Sequence, residues 1–110
     1  MEGKMWAKVI GVILLVVGVL GFFMDPVLGI FKVNGLHNII HLLTGAIFAW
    51  AGYSAGAPAK KVNQWLGAIY LIIGIVGFFA LQDLLSLNKA DNLLHLIIGI
   101  ISIWVGAKSA

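Results

Sequence analysis

The sequence predicts an all-α membrane fold: a four-transmembrane-helix bundle made of two parallel tandem two-helix repeats, with both termini in the cytoplasm. Three observations predict it: an apolar composition, four long apolar segments, and the recurrence of the first two segments in the second half of the chain. Of the 110 residues, 62% are hydrophobic and 10% are charged, against about 45–50% and about 25% in soluble domains. So few charged side chains cannot cover a soluble globule, and this hydrophobicity also excludes a disordered chain.

Each apolar segment has the length of a membrane-spanning helix. About 19 residues at about 1.5 Å per residue cover roughly 28 Å, close to the hydrocarbon thickness of about 30 Å. The predicted spans are Trp6–Met24, Gly35–Tyr53, Val62–Leu81 and Lys89–Ala107. We also expect short interfacial helices in the two outer loops, around Val27–Phe31 and Leu84–Leu87. Asp25-Pro26 would supply the N-cap and first-turn proline of the first one.

The chain has the pattern of an internal duplication. Residues 11–23 match residues 67–79 at seven of 13 positions, and residues 34–52 match residues 88–106 at eight of 19. Two matching blocks in the same order indicate a duplicated two-helix unit. Because such units pack on one another, we expect one membrane domain over residues 1–110. Its parts are repeat unit one at 6–53, a cytoplasmic linker at 54–61 and repeat unit two at 62–107. Since each unit has two spans, the units enter the membrane in the same sense, and we expect a pseudo-two-fold axis along the membrane normal.

Lysine placement predicts the orientation. Five lysines lie on one side of the predicted spans and two on the other, and the lysine-rich side is expected in the cytoplasm. The larger set is Lys4, Lys8, Lys60, Lys61 and Lys108, and the smaller set is Lys32 and Lys89. This orientation predicts residence in the cytoplasmic (inner) membrane of a prokaryote. The chain has no arginine, the side chain best suited to bidentate phosphate contacts, so nucleic acid is not an expected partner. The expected partners are the lipid bilayer and a second copy or larger membrane assembly.

Small residues recur on one face of each predicted helix. Close packing is the main source of helix association in membranes, and glycine permits the closest approach. The glycines predicted to line helix contacts are Gly11, Gly18, Gly45, Gly52, Gly67, Gly74, Gly99 and Gly106. A helix hinge, or a ligand lying against glycine, is the alternative interpretation of the same stripe.

The remaining polarity concentrates on the second and fourth segments. Asn34 and Asn88 are predicted N-caps, which would place Asp91 where a carboxylate favours the helix dipole. His41 and His95 lie about two turns inside their helices, where polar groups face the bundle interior or a water-filled cavity. The candidate polar or ligand site is His37, Asn38, His41, Asp91, Asn92 and His95.

The histidines permit several interpretations. In the leading one no cofactor is bound, and each neutral imidazole forms a hydrogen bond to a neighbour such as Thr44 and fixes the helix contacts. In the second, the i,i+4 pairs of the two units meet across the axis and bind a divalent metal such as zinc, iron or manganese. The candidate metal ligands are His37, His41, Asp91 and His95.

A haem is the third interpretation. His41 and His95 would be its axial ligands, with Gly45 and Gly99 leaving room for the ring. A proton or ion path is a further alternative, although the sequence lacks the charge rings and broken helices that favour one.

The strings at Gly29–Gly45 and Leu87–Leu96 resemble an uncharacterised family of small bacterial and archaeal four-helix membrane proteins. Its hallmarks are a Val-Asn-x-x-His-Asn-x-x-His-Leu-x-x-Gly motif and a later Ala-Asp-Asn-x-x-His motif. The matching residues are His37, Asn38, His41, Gly45, Asp91, Asn92 and His95. The resemblance covers nearly the whole chain and implies the four-helix topology. It implies no activity, because the family is one of unknown function.

The function expected from the sequence is that of a structural, self-associating or accessory membrane component. An enzyme is not expected, because the chain has no cysteine, no recognisable Ser/His/Asp set and no phosphate-binding loop. The alternative is a metal- or haem-binding membrane protein that uses His41 and His95, with His37 and Asp91, on the outer side of the bundle. An ion or proton conduit is the third expectation.

Overall fold

The computed structural model describes residues 2–108, which form five helices and no strand. The helices are α1 (Gly3–Leu20), α2 (Gly35–Tyr53), α3 (Ala59–Val76), α4 (Gln82–Leu85) and α5 (Lys89–Lys108). Four of them have 18 to 20 residues and correspond to the four apolar segments. The all-α fold class is thus confirmed.

The first and third helices are displaced toward the N-terminus relative to their apolar segments. α1 starts at Gly3, three residues before the predicted segment, because the carboxylate of Glu2 caps it by accepting the N–H of Lys4 at 2.7 Å. α1 and α3 end where Gly21 and Gly77 act as C-caps, so the predicted ends at residues 24 and 81 are wrong. Hydropathy reports which residues avoid water, whereas capping decides where a helix stops.

The predicted helix at Val27–Phe31 is also wrong. The segment reverses direction instead, with the N–H of Val27 donating to the carbonyl of Phe31 at 2.7 Å and the reverse bond at 3.1 Å. Leu28 and Gly29 both have positive φ angles, of 54° and 74°, which a right-handed helix does not permit. In the second outer loop a helical turn exists, but it lies two residues earlier than predicted, at Gln82–Leu85.

The long helices form two closely packed antiparallel pairs, α1 with α2 and α3 with α5, and smaller contacts join the pairs. One end of the bundle holds the start of α1, the end of α2 and the start of α3. There the Lys4 ammonium donates to the carbonyls of Ala51 and Ser54, at 3.1 Å and 2.7 Å. The Asn63 amide donates to the carbonyl of Gly3 at 3.0 Å. The loops at 21–34 and 77–88, predicted to lie on the outer side, meet at the opposite end.

Large apolar side chains cover the outside of the bundle. Val16 on α1, Leu43 on α2, Ile72 on α3 and Ile100 on α5 are each more than half exposed. Of the described helices, α1 and α5 are long and apolar enough to cross a membrane. Polar residues lower the mean hydropathy of the other two long helices: His37, Asn38 and His41 in α2, and Lys60, Lys61, Asn63 and Gln64 in α3.

The predicted caps of α2 and α5 are confirmed. The Asn34 side chain accepts the N–H of His37 at 2.9 Å. The Asn88 side chain accepts the N–H of Asp91 at 2.8 Å, and the Asp91 carboxylate accepts the N–H of Asn88 at 3.0 Å. This reciprocal pair is a capping box. The two asparagine amides also cross between the outer loops, since Asn34 donates to the carbonyl of Leu84 and Asn88 to that of Ile30, both at 2.9 Å.

The two roles of Asn88 can be separated by substitution. Asn88→Ala removes both the cap and the bond to Ile30, and we expect the free energy of unfolding to fall by about 2 kcal/mol, about 1 from each contact. Asn88→Ser keeps a capping oxygen and removes only the bond to Ile30, so it should lose about half as much. Chemical unfolding in detergent, followed by circular dichroism, measures both. Equal losses in the two variants would show that the cap contributes nothing.

Candidate metal centre

Three histidines form one cluster inside the bundle. The ring centroids of His37 and His41 are 4.3 Å apart, and those of His37 and His95 are 5.4 Å apart. The third distance, between His41 and His95, is 5.9 Å. One ligand nitrogen from each residue lies within 4.8 Å of the others, and each side chain is only 2% exposed. Nitrogens on a tetrahedral ion with bonds of 2.0–2.1 Å are about 3.4 Å apart, so modest ring movements would bring all three to ligating distance.

Helical spacing and the bundle geometry place these rings together. His37 and His41 are four residues apart on α2 and therefore share one face. His95 extends toward them from α5. Among the described helices, α2 and α5 make no close backbone contact with each other. The imidazoles therefore meet between two helices whose backbones are not in close contact.

Most of the imidazole nitrogens in the cluster are buried without a hydrogen-bond partner. Both nitrogens of His37, both nitrogens of His41 and Nδ1 of His95 are in this state by hydrogen-bond geometry, although the backbone of Leu85 lies close to His37. The expectation that each imidazole bonds a neighbour such as Thr44 is wrong for His41, since both of its nitrogens lack a partner. Buried polar atoms are nearly always paired with protein or water, so this concentration of free nitrogens in one place points to a ligand.

Thr44 is occupied by another partner, Tyr70 on α3. The Thr44 hydroxyl donates to the carbonyl of Ile40 at 2.7 Å, and its oxygen lies 2.7 Å from the Tyr70 hydroxyl. Since a threonine hydroxyl has only one hydrogen, Tyr70 is the donor in this second bond. The Tyr70 ring packs edge-on against His95, with centroids 5.4 Å apart. Sequence reasoning missed Tyr70; its one signal is a polar hydroxyl in the middle of an apolar segment.

Asp91 does not join the histidines. Its carboxylate is held at the start of α5 by the N–H of Asn88, and the candidate metal-binding group contains only the three histidines. The predicted four-ligand His₃Asp set is therefore corrected to three histidines. The Asp91 carboxylate accepts a backbone N–H at the start of its own helix, as an acidic side chain three residues after the N-cap commonly does.

Asn38 and Asn92 also lie outside the cluster, one turn or less from its histidines. The amide oxygen of each is buried and unpartnered, and it faces a glycine at the end of a neighbouring helix. A Cβ on Gly21 would overlap the Asn38 oxygen, and one on Gly77 would overlap the Asn92 oxygen. Sequence reasoning missed Gly21 and Gly77 as contact positions, although both recur between the repeats.

The eight glycines predicted to line helix contacts all lie against a neighbouring helix. A Cβ added at any of them would lie 2.5 to 2.9 Å from an atom of that helix. At Gly45 the nearest atom is the backbone nitrogen of Leu15, at 2.9 Å, and at Gly99 it is that of Leu71, at 2.5 Å. Helix backbone thus fills the space that a haem ring would need, and the expectation that these two glycines leave room for a porphyrin is wrong.

Comparison with known proteins assigns the chain to a family. Residues 4–107 match the family described as a domain of unknown function, DUF4383, and this range includes the three histidines and the helices that hold them. No curated protein and no solved structure matches the chain. Because the match extends over almost the whole sequence, the chain belongs to the DUF4383 family, a domain of unknown function.

Proposed function

We propose that this is a four-span integral membrane protein that binds a transition-metal ion through His37, His41 and His95. The observation that carries the proposal is the group of five buried, unpartnered imidazole nitrogens. Each unpaired polar group in an apolar interior costs about 1–3 kcal/mol. One metal ion would take a lone pair from each ring at once, and imidazole is a good donor for zinc, copper, iron and nickel.

The bundle surface supports the membrane part of the proposal. α1 and α5 are candidate spans, and α2 and α3 expose aliphatic side chains of the same kind, such as Leu43 and Ile72. These apolar faces would contact lipid, while the buried polar groups face inward, as polar groups in membrane helices do. With the lysine-rich end in the cytoplasm, the histidine cluster lies toward the outer side of an inner membrane.

Equivalent contacts in the two halves support the tandem repeat and its pseudo-two-fold axis. Gly11 lies against the backbone of Ala49, as Gly67 lies against that of Ile103. The glycine–asparagine contacts at the helix ends and the crossed asparagine hydrogen bonds recur in the same way. These paired contacts are what two copies of one unit related by a two-fold rotation would make.

We propose a binding role rather than an enzymatic one. Within the described residues, no cysteine or carboxylate joins the metal-binding group to act as a nucleophile or general base. Self-association, or membership of a larger membrane assembly, is compatible with metal binding and remains part of the proposal.

Metal content tests the proposed function. Protein purified in detergent and loaded with Cu(I), Zn(II) or Co(II) should retain one ion per chain after desalting, as measured by elemental analysis. The double variant His41→Ala/His95→Ala should retain less than a tenth of this, because one remaining imidazole cannot hold the ion.

Ser102→Ala is the matched control, since Ser102 is also a buried polar residue on α5 but bonds Trp6 instead, at 2.8 Å. It should bind metal as the wild type does. Circular dichroism confirms that each variant is folded. Absence of stoichiometric metal in folded wild-type protein, or retention in the double histidine variant, would contradict the proposal.

A further inference from the structure

We infer that the ion for which the histidine cluster is suited is monovalent copper, Cu(I), rather than a divalent metal. The inference rests on the proposed function and specifies the metal at that same site. It is carried by one juxtaposition: three buried imidazoles from two helices meet in the bundle interior, and no carboxylate belongs to the ligating group.

The first argument is charge. Neutral imidazole donors leave the full charge of a bound ion in the interior, where the burial cost rises with the square of the charge and is about fourfold higher for a divalent ion. None of the acidic side chains at this end belongs to the ligating group, although Asp25 is close enough to His37 to act on it electrostatically. Asp91 accepts the N–H of Asn88 at 3.0 Å, and Asp25 accepts the N–H of Val33 at 3.1 Å. The site therefore favours the ion of lowest charge that imidazole binds well.

The second argument is the number of ligands. Within the described residues, the candidate group holds three ligating side chains and no fourth histidine, cysteine or carboxylate. Zinc almost always takes four ligands and completes a three-residue set with water, and these histidines, each 2% exposed, leave water little access to the ion. Cu(I) has a filled d shell and is stable with three donors in a plane. The triangle of ring centroids, with sides of 4.3, 5.4 and 5.9 Å, surrounds a central point that such an ion would occupy.

The third argument concerns the oxidation state of a bound copper ion. Each histidine is 2% exposed, and the nearby Tyr70 hydroxyl donates to Thr44. Cu(II) prefers a tetragonal set of nitrogen and oxygen ligands, which three imidazoles alone do not supply. The ligand set therefore favours the reduced ion.

Anaerobic competition tests the inference. Wild-type protein in detergent is titrated into the coloured Cu(I) complex of bathocuproine disulfonate, and the loss of absorbance gives the copper removed. In a second titration, Cu(I)-loaded protein is challenged with a tenfold excess of Zn(II). We expect one Cu(I) per chain, less than a tenth of it displaced by zinc, and three nitrogen neighbours around copper by X-ray absorption.

Two variants sharpen the result. The double variant His41→Ala/His95→Ala should lose Cu(I) binding, while Ser102→Ala should bind as the wild type does. Asp91→Asn keeps an oxygen that can accept the N–H of Asn88 and removes the negative charge. We expect it to change Cu(I) affinity by less than about threefold, and a tenfold loss would show that a carboxylate balances the charge and would overturn the inference.

The outcomes separate this inference from the proposed function. If Zn(II) displaces Cu(I), or binds while Cu(I) does not, the ion is divalent; the inference falls and the proposed function stands. If folded protein binds none of Cu(I), Zn(II) and Co(II), both fall. Stoichiometric Cu(I) that survives the zinc challenge and depends on the histidines supports both.

Discussion

Replacing Gly99 by alanine is expected to separate α3 from α5 and to lower the free energy of unfolding by about 3 kcal/mol, the upper end of the usual range for overpacking. The added Cβ would lie 2.5 Å from the nitrogen of Leu71, 2.7 Å from its Cα and 2.8 Å from the carbonyl oxygen of Gly67. All three are backbone atoms of α3, so no side chain can rotate away and the helices themselves must move. The gain of about 1 kcal/mol in helix propensity offsets only part of this loss.

Gly35→Ala is the matched control for this prediction. Gly35 is the first residue of α2, and a Cβ added there would meet no atom within 4 Å. We expect its free energy of unfolding to change by less than about 0.5 kcal/mol. Thermal or chemical unfolding in the same detergent compares the two. Gly99→Ala proving as stable as Gly35→Ala would show that close helix contact contributes little to this bundle.

Replacing the three histidines by leucine is expected to have opposite effects in the absence and presence of metal. Without metal, the triple variant His37→Leu/His41→Leu/His95→Leu removes five buried, unpartnered nitrogens and fills the same space with side chains of similar volume. Unpaired buried groups cost about 1–3 kcal/mol each, and overpacking by the slightly larger leucines costs about 1–3 kcal/mol. With the five nitrogens at the lower end of their range and overpacking near the middle of its range, the variant should be more stable than the wild type by about 3 kcal/mol. With free metal at 1,000 times its Kd, the wild type should gain about 4 kcal/mol and the variant nothing.

Thermal unfolding measures this reversal of order. Wild type and triple variant are compared first with a chelator and then with Cu(I) under anaerobic conditions. A triple variant that is less stable than the wild type in chelator would mean that the imidazoles form stabilising contacts without metal. A wild type that gains no stability from any metal would contradict the proposed function.

Patterns in the sequence that depend on local chemistry predicted the structure well. The four long helices follow from four apolar segments, and Asn34 and Asn88 cap their helices as their position before each segment predicts. Helix ends that depend on glycine were less predictable, since Gly21 and Gly77 stop α1 and α3 before the apolar segments end. The reversal at Val27–Phe31 depends on positive φ angles. An apolar residue such as Leu28 gives no sign of a positive φ angle in the sequence.

The candidate site was predicted in part, and its errors have a common physical cause. Helical periodicity places His37 and His41 on one face, and the match between residues 34–52 and 88–106 predicts an equivalent depth for His95. Periodicity cannot show whether a polar side chain points into the bundle or forms a hydrogen bond with the backbone of its own helix terminus. Asp91 forms such a bond, with the N–H of Asn88. Tyr70 approaches His95 only through packing between different helices, which no spacing within one helix reveals.

The crossed hydrogen bonds of Asn34 and Asn88 have a consequence for the origin of the chain. The Asn34 amide of the first unit donates to a carbonyl in the second unit, and the Asn88 amide of the second donates to the equivalent carbonyl in the first. Two separate copies of one unit could therefore form the same two hydrogen bonds. On the proposed repeat, the two units contact each other as the subunits of a symmetric dimer would, and the short connection between α2 and α3 keeps them together. In a single chain the two halves can have different residues at equivalent positions. The first half has His37 where the second has Asp91. A homodimer of one unit would place identical residues at both positions, whereas this single chain holds an asymmetric set of three histidines.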